Sequence, residues 1–211
     1  SLPFTKSDQF AFAWKRKFST DLSVVSSVYY HHLSDAPLLP GNPAYSLINQ
    51  WEDFPTGNLT AKGQGKNYGI DAYIEKRFYS DFYFMISGAV YESQFKNPGG
   101  KYTDTRFNGN FTSSFLTGKE WKSKNKVFGV HARMLYSGGM RQAPIDQPTS
   151  KMVGTTIYDL SSGYSIKYPD YFRTDLRVSW RKNKPGYTRT LSIDIQNVTG
   201  QKNVAYQYYD T

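Results

Sequence analysis

Cysteine is absent from the 211 residues, which excludes disulfides and thiolate zinc sites and leaves the redox compartment open. No apolar run approaches the roughly 20 residues of a membrane-spanning helix. Helix signals of any kind are nearly absent. A dense basic run is lacking too: the net charge of +9 comes from 26 Lys and Arg spread along the chain, with nothing denser than "WKRK". Nucleic acid is therefore not an expected partner. What is abundant argues against disorder, because 18 Tyr and 14 Phe raise the aromatic share to 17% and disordered chains are poor in rings. These rings sit in a hydrophilic average, a mean hydropathy of −0.62.

The pattern that organises them is a period of 2, the signature of strands with two unlike faces. In "YFRTDLRVSWR", Phe172, Thr174, Leu176, Val178 and Trp180 alternate with Arg173, Asp175, Arg177, Ser179 and Arg181. Similar alternation runs through residues 10–18, 22–32, 68–78, 82–90, 106–121, 127–136 and 191–196. About eight antiparallel strands of about ten residues are predicted. In "RFNGNFTSSFLTGKEW" the alternation predicts Phe107, Phe111 and Phe115 on one face, with Asn108, Asn110, Thr112 and Ser114 on the other.

Short connections ("STD", "YSD", "GKEWKSKNK", "KNKPGYT") alternate with long ones at residues 33–67, 97–105, 137–170 and from 200 onward. An all-β, antiparallel up-and-down transmembrane barrel has this asymmetry, with tight turns at one rim and large loops at the other. A soluble, carbohydrate-binding β-sandwich is one alternative, although its strands average about 5–6 residues, whereas a tilted strand needs about ten to cross a bilayer. A small complete outer-membrane barrel is another, since about eight strands can close. Rings at strand ends favour a membrane. Tyr30, Tyr68, Phe107, Tyr136 and Phe172 are expected near one rim, and Phe18, Phe78, Phe82, Phe115 and Trp180 near the other, as two girdles around an aliphatic band. Arg16 and Lys76 lie beside the short turns, where their stems can snorkel to the headgroups.

Five stretches, "GQGKNYGIDAYIEKRF", "GGKYTDTRFNGNFTSSFLTGKEW", "YSGGMRQAPID", "YPDYFRTDLRVSWRKN" and "LSIDIQNVTGQKNVAYQYYD", resemble the C-terminal strands of TonB-dependent outer-membrane receptors of Bacteroidetes-type bacteria. The resemblance covers nearly the whole chain and keeps the order of the motifs. It implies a transmembrane barrel of about 22 strands around a plug, set in outer-membrane lipid and powered through TonB. It also implies uptake of a scarce ligand, such as a metal chelate, an oligosaccharide or a peptide, with a surface lipoprotein as a further partner. Residues 1–211 are then expected to be a C-terminal segment of the barrel, without the plug, the TonB-contacting box and the last strand.

Neither an enzyme nor a cofactor is expected. "GQGKNYG" follows no strand, opens no helix, and has Asn67 where a phosphate loop needs Ser or Thr. His31, His32 and His131 are too scattered for metal spacing. Asp71 and Glu75 stand roughly 13 Å apart along one face, beyond the separation of paired glycosidase carboxylates. The candidate lumen- or ligand-facing set is Asp71, Glu75, Arg77, His131, Arg133, Arg173, Asp175, Arg177 and Asp194. Its mixed signs suit a cross-strand ladder of ion pairs, or a field that guides an anionic ligand or grips a plug. A hairpin at "NKPGYT" places Arg177 opposite or diagonal to Asp194. Tyr45, Trp51, Phe54, Met140 and Arg141 are the candidate extracellular loop contacts, because loops on a rigid barrel carry recognition.

Overall fold

The computed structural model describes residues 2–40, 45–50, 57–79 and 81–210. Its strands are β1 (Lys6–Lys17), β2 (Leu22–Leu38), β3 (Thr60–Tyr79), β4 (Phe82–Lys96), β5 (Thr103–Asp104), β6 (Phe111–Ser123), β7 (Lys126–Ser137), β8 (Arg141–Gln142), β9 (Ile166–Lys167), β10 (Tyr171–Lys184) and β11 (Tyr187–Ile195). The long strands form one sheet in the order β1-β2-β3-β4-β6-β7-β10-β11, with β5 beside β4, while β8 and β9 pair only with each other. Every long neighbour is antiparallel. This is the expected up-and-down meander. Among the described residues β1 and β11 do not pair with each other, so the sheet is an open wall.

The register propagates one apolar face across the whole wall. Phe12, Val28, Ile70, Val90 and Phe111 form one cross-strand row, and Trp121, Phe128, Trp180 and Leu191 form another. No second sheet covers this face among the described residues. Phe10 is 71% exposed, Val90 69% and Ile193 63%, although burying such side chains stabilises a soluble fold by about 1.5–3 kcal/mol each. A sandwich would have buried them. This face requires an apolar solvent.

Aromatic rows bound the apolar band. At the long-loop end Phe111 contacts Tyr136 at 5.0 Å and Tyr136 contacts Phe172 at 6.2 Å, while Tyr30 stacks on Tyr68 at 6.4 Å. At the tight-turn end Trp121 meets Phe128 at 5.8 Å. There Arg16 lies 5.0 Å over Phe18 and Lys76 lies 5.8 Å over Phe82, so the cations cap the rings as snorkelling side chains do.

The expected girdle needs two corrections. Phe115 lies between Ile86 and Met134, in the middle of the band, and Trp121 takes the rim position. The reason is turn length. β6 continues to Ser123 and turns back through Lys124 and Asn125 alone, so most of the stretch expected as a short connection is strand. The Phe78 side chain lies outside the described residues.

The second correction concerns Phe107, Asn108 and Asn110. β6 begins at Phe111, not at Phe107. Asn110 adopts φ 72, and Thr105 to Asn108 close a turn, with Asn108 N–H donating to Thr105 O at 3.1 Å. The alternation is thereby inverted. Phe107 lines cavities together with Tyr29, Asp71 and Tyr91 of the polar face. Asn108 and Asn110 instead donate to Glu92, each at 2.8 Å, and Glu92 sits opposite Tyr68 on the apolar side's register.

β2, β3 and β4 rise past the Tyr30–Tyr68 row as a paired ribbon. The outer positions there are His32, Ser34, Lys66 and Gln64. Apolar alternation stops while backbone pairing continues, which is why both flanks of the loop expected at residues 33–67, residues 33–38 and 60–67, are strand. The 138–170 connection is also structured. Asp146 caps helix α1 (Gln147–Val153) by accepting from Thr149 N–H, and Gly154 ends it at φ 73.

Buried side chains concentrate at this end. Ala36, Leu38, Phe95, Ala143 and Tyr168 are buried with Ser46, Asn49, Thr105, Asn108 and Ser150. Most polar atoms there are bonded, as burial demands: Thr105 Oγ1 donates to Ser93 Oγ at 2.8 Å, and Ser150 Oγ accepts from Ile157 N–H at 2.9 Å, whereas Asn49 Nδ2 has no partner among the described residues. The loops therefore pack as a small core on the rim of the wall.

Candidate functional site

Two surfaces could act on a ligand: the polar face of the wall and the cavities beneath the packed loops. On the polar face, β10 and β11 place Arg177 opposite Asp194. The guanidinium donates twice, Nε to Oδ1 at 2.5 Å and an Nη to Oδ2 at 3.0 Å, so the expected hairpin pair is present. Arg181 reaches Glu120 at 3.1 Å across the intervening β7. Other pairs run along a strand: Arg173 with Asp175 at 2.7 Å, and Arg77 with Glu75 at 3.6 Å. A purely cross-strand ladder is thus only part of the arrangement. Arginine stems are long enough to reach two residues along their own strand.

The remaining polar-face candidates are held by neutral partners or stand by register. Ser27 donates to Asp71. His131 Nδ1 lies 3.0 Å from the Tyr83 hydroxyl. Arg133 sits opposite Asp175 of β10 and Leu116 of β6. Among the described residues no group of three His, Asp or Glu could hold a metal ion.

Asp71 also borders a cavity of about 780 Å³ against β2, β3 and β4, with Tyr29, His31, Tyr91 and Phe107. A larger cavity, about 1300 Å³, opens beneath the loops. It shares Tyr91 and Phe107 with the first and adds Arg106, Tyr158, Tyr164, Tyr168, Tyr171 and Tyr206. Burial pushes the Tyr164 and Tyr168 hydroxyls up from their ordinary pKa, with the nearby Arg106 charge acting in the opposite direction. Both are neutral hydrogen-bonding groups at physiological pH. The segment after β11 closes one side: Gln207 N–H donates to Tyr168 Oη at 3.1 Å, and Tyr158 Oη donates to Gln207 O at 3.1 Å.

Of the expected loop contacts, Met140 and Arg141 line this larger cavity. Tyr45 does not line it; its carbonyl accepts from Leu39 N–H at 3.3 Å. Trp51 and Phe54 lie outside the described residues. Sequence patterning does not single out Arg106 or the tyrosines from Tyr164 onward. They come together through the loop core, which leaves no periodic trace. The usable signal was local: "DQPTS" and the following glycine mark a capped helix, and hence a folded loop.

A wall of antiparallel strands with an apolar exterior, aromatic girdles and a polar interior is also what the family comparison returns. Residues 5–198 match the family model described as TonB dependent receptor-like, beta-barrel. The chain belongs to the TonB-dependent receptors. Their barrels lie in the outer membrane of Gram-negative bacteria, and the family consists of transporters rather than enzymes. The apolar face of the receptor wall is therefore its lipid face. Family membership implies a plug inside the receptor barrel and coupling to TonB. No curated protein and no solved structure matches the chain.

Proposed function

We propose that this receptor segment is a C-terminal part of a barrel wall through which a scarce ligand is imported, a metal chelate, an oligosaccharide or a peptide. The observation that carries the reading is that the loop-end cavity and the cavity on the polar face adjoin, with Tyr91 and Phe107 lining both. A ligand bound among the loops would lie at the mouth of the barrel, against a surface of fixed aromatic and amide groups. Such concave, ring-lined sites suit small ligands. The mixed charges below suit reversible contact with a plug, because paired ions at a wet surface hold weakly, by about 0–1 kcal/mol. In this reading further strands join β1 to β11, the plug lies in another part of the receptor, and a surface lipoprotein is the partner that would meet the loops.

The test is uptake by cells carrying the complete receptor gene, grown on single sources of metal or carbon. Growth on one source should require both the receptor and TonB. The cavity variant Tyr91→Ala should reduce that growth while the receptor level in the membrane stays unchanged. Growth on every source without the receptor, or uptake indifferent to Tyr91→Ala, would rule the reading out.

A further inference from the structure

Arg106 differs from the other cation lining the larger cavity. The Arg141 side chain is fully engaged, with Nη1 3.2 Å from Asp104 Oδ2, Nε donating to Asn108 O at 3.0 Å, and Nη2 to Asn110 Oδ1 at 3.5 Å. The Arg106 guanidinium has no carboxylate partner among the described residues; its recorded contact is the Phe107 ring, 5.9 Å from the centroid. The described lining contains no Asp and no Glu. Arg106 is half-buried, and a guanidinium so placed in a ring-lined cavity can pair with an anion through charge-assisted hydrogen bonds.

The position of Arg106 is fixed from both sides. Its N–H donates to Asn49 Oδ1 at 3.2 Å, and its carbonyl accepts from Arg141 N–H at 2.8 Å. Asn49 itself is fully buried. Two loops thus hold this residue where its fork of donors meets the cavity. A planar guanidinium binds a carboxylate through two parallel hydrogen bonds, and it stacks on rings.

We infer that Arg106 forms an anion subsite that takes a ligand bearing a carboxylate beside a flat ring or sugar face, the carboxylate on the guanidinium and the ring against Phe107 and Tyr164. This rests on the cavity being the ligand site of the receptor. Two sources share that chemistry, an acidic oligosaccharide and a carboxylate metal chelate.

The complete receptor, purified in detergent, would be treated with phenylglyoxal and the labelling of each arginine followed by mass spectrometry. Arg106 should label faster than Arg141. Oligogalacturonate and ferric dipicolinate, whose carboxylates flank a flat ring, serve as carboxylate probes, and the same oligosaccharide after carboxyl reduction serves as the neutral one. At least one carboxylate probe should slow labelling of Arg106 about tenfold, as expected for a charge-assisted pair, and the one that does so identifies the source. The reduced oligosaccharide should leave labelling unchanged. In calorimetry Arg106→Gln should abolish preference for the protecting probe, and Arg106→Lys should restore part of it. Equal protection by charged and neutral probes would overturn the anion subsite and leave the cavity reading standing. No protection by any probe would overturn both.

Discussion

Tyr83 and His131 meet across the bare side of Gly118, hydroxyl to Nδ1 at 3.0 Å, although the glycine's strand lies between theirs. A Cβ on Gly118 would lie 2.3 Å from that nitrogen and 2.5 Å from the Tyr83 ring. The glycine is there for close approach. Its missing side chain lets two rings from flanking strands cover the middle one.

Gly118→Ala should therefore destabilise the receptor barrel by about 1–3 kcal/mol, the usual penalty for overpacking. The check is equilibrium unfolding of the refolded receptor in urea. Tyr83→Phe would lose the hydrogen bond alone and should cost less. Equal stability of Gly118→Ala and the parent would refute this use of the glycine.

Lipid exposure is testable at Leu176, four positions from Phe172 and four from Trp180. Leu176→Arg should cost about 2–4 kcal/mol, as a cation does at the bilayer midplane. Ser192→Arg, on the polar face of β11, should change stability by no more than about 0.5 kcal/mol. A reversed order would mean that the two faces are inverted.

The Arg177–Asp194 pair is bidentate, yet its side chains are 56% and 47% exposed. Solvent screening then limits its coupling to about 0.2–1 kcal/mol. A double-mutant cycle with Arg177→Met and Asp194→Asn should return a value in that range, falling as salt is added. A coupling of several kcal/mol would show that a low-dielectric partner, such as a docked plug, covers the pair.

Gly138 and Gly109 touch backbone to backbone, and a Cβ on Gly138 would fall 1.8 Å from Gly109 O. Gly138→Ala should push the two loops apart at the cavity. Ligand uptake and protease resistance of residues 97–110 should both decline while the barrel stays folded on semi-native gels. Unchanged loop protection would show that the contact is dispensable.

The loop turn at Asp159 should respond to acid. Its carboxylate accepts from the Ser161 and Ser162 hydroxyls, each at 2.5 Å, and these bonds lower its pKa. A lowered folded-state pKa means the turn's stabilisation is present above about pH 4, the unfolded value. It is lost as pH falls through the folded value. The protection of Ser161 N–H against hydrogen exchange, relative to an unstructured amide at the same pH, should fall only on that acid side, and Asp159→Asn should remove the response.

Strand alternation was enough to place the membrane-crossing parts, because a buried-in-lipid face and a wet face leave a strict period of 2. It also located Arg177 against Asp194, since a tight Pro–Gly turn leaves little freedom of register. Gly186 indeed adopts φ 85 there. The same reasoning failed at Phe107, where one left-handed asparagine inverts the pattern without changing composition. It failed again above the membrane, where ribbon strands have no apolar face to announce them. Arg106 was illegible for a related reason: its place in the cavity is set by contacts between loops, with Asn49 and Arg141, that leave no periodic trace.

The two aromatic girdles have a consequence for where the receptor can reside. Phe172 and Trp180 are eight positions apart, as are Phe128 and Tyr136, which is about 27 Å along a strand and about 20 Å along the bilayer normal at the usual tilt. This is a short ruler. A thicker bilayer would leave acyl chains against polar ribbon at one rim or charged turns at the other, at a cost of fractions of a kcal/mol for each ångström of mismatch. Summed around a full barrel, that mismatch makes bilayer thickness itself a sorting signal, favouring the thin outer membrane over any thicker one.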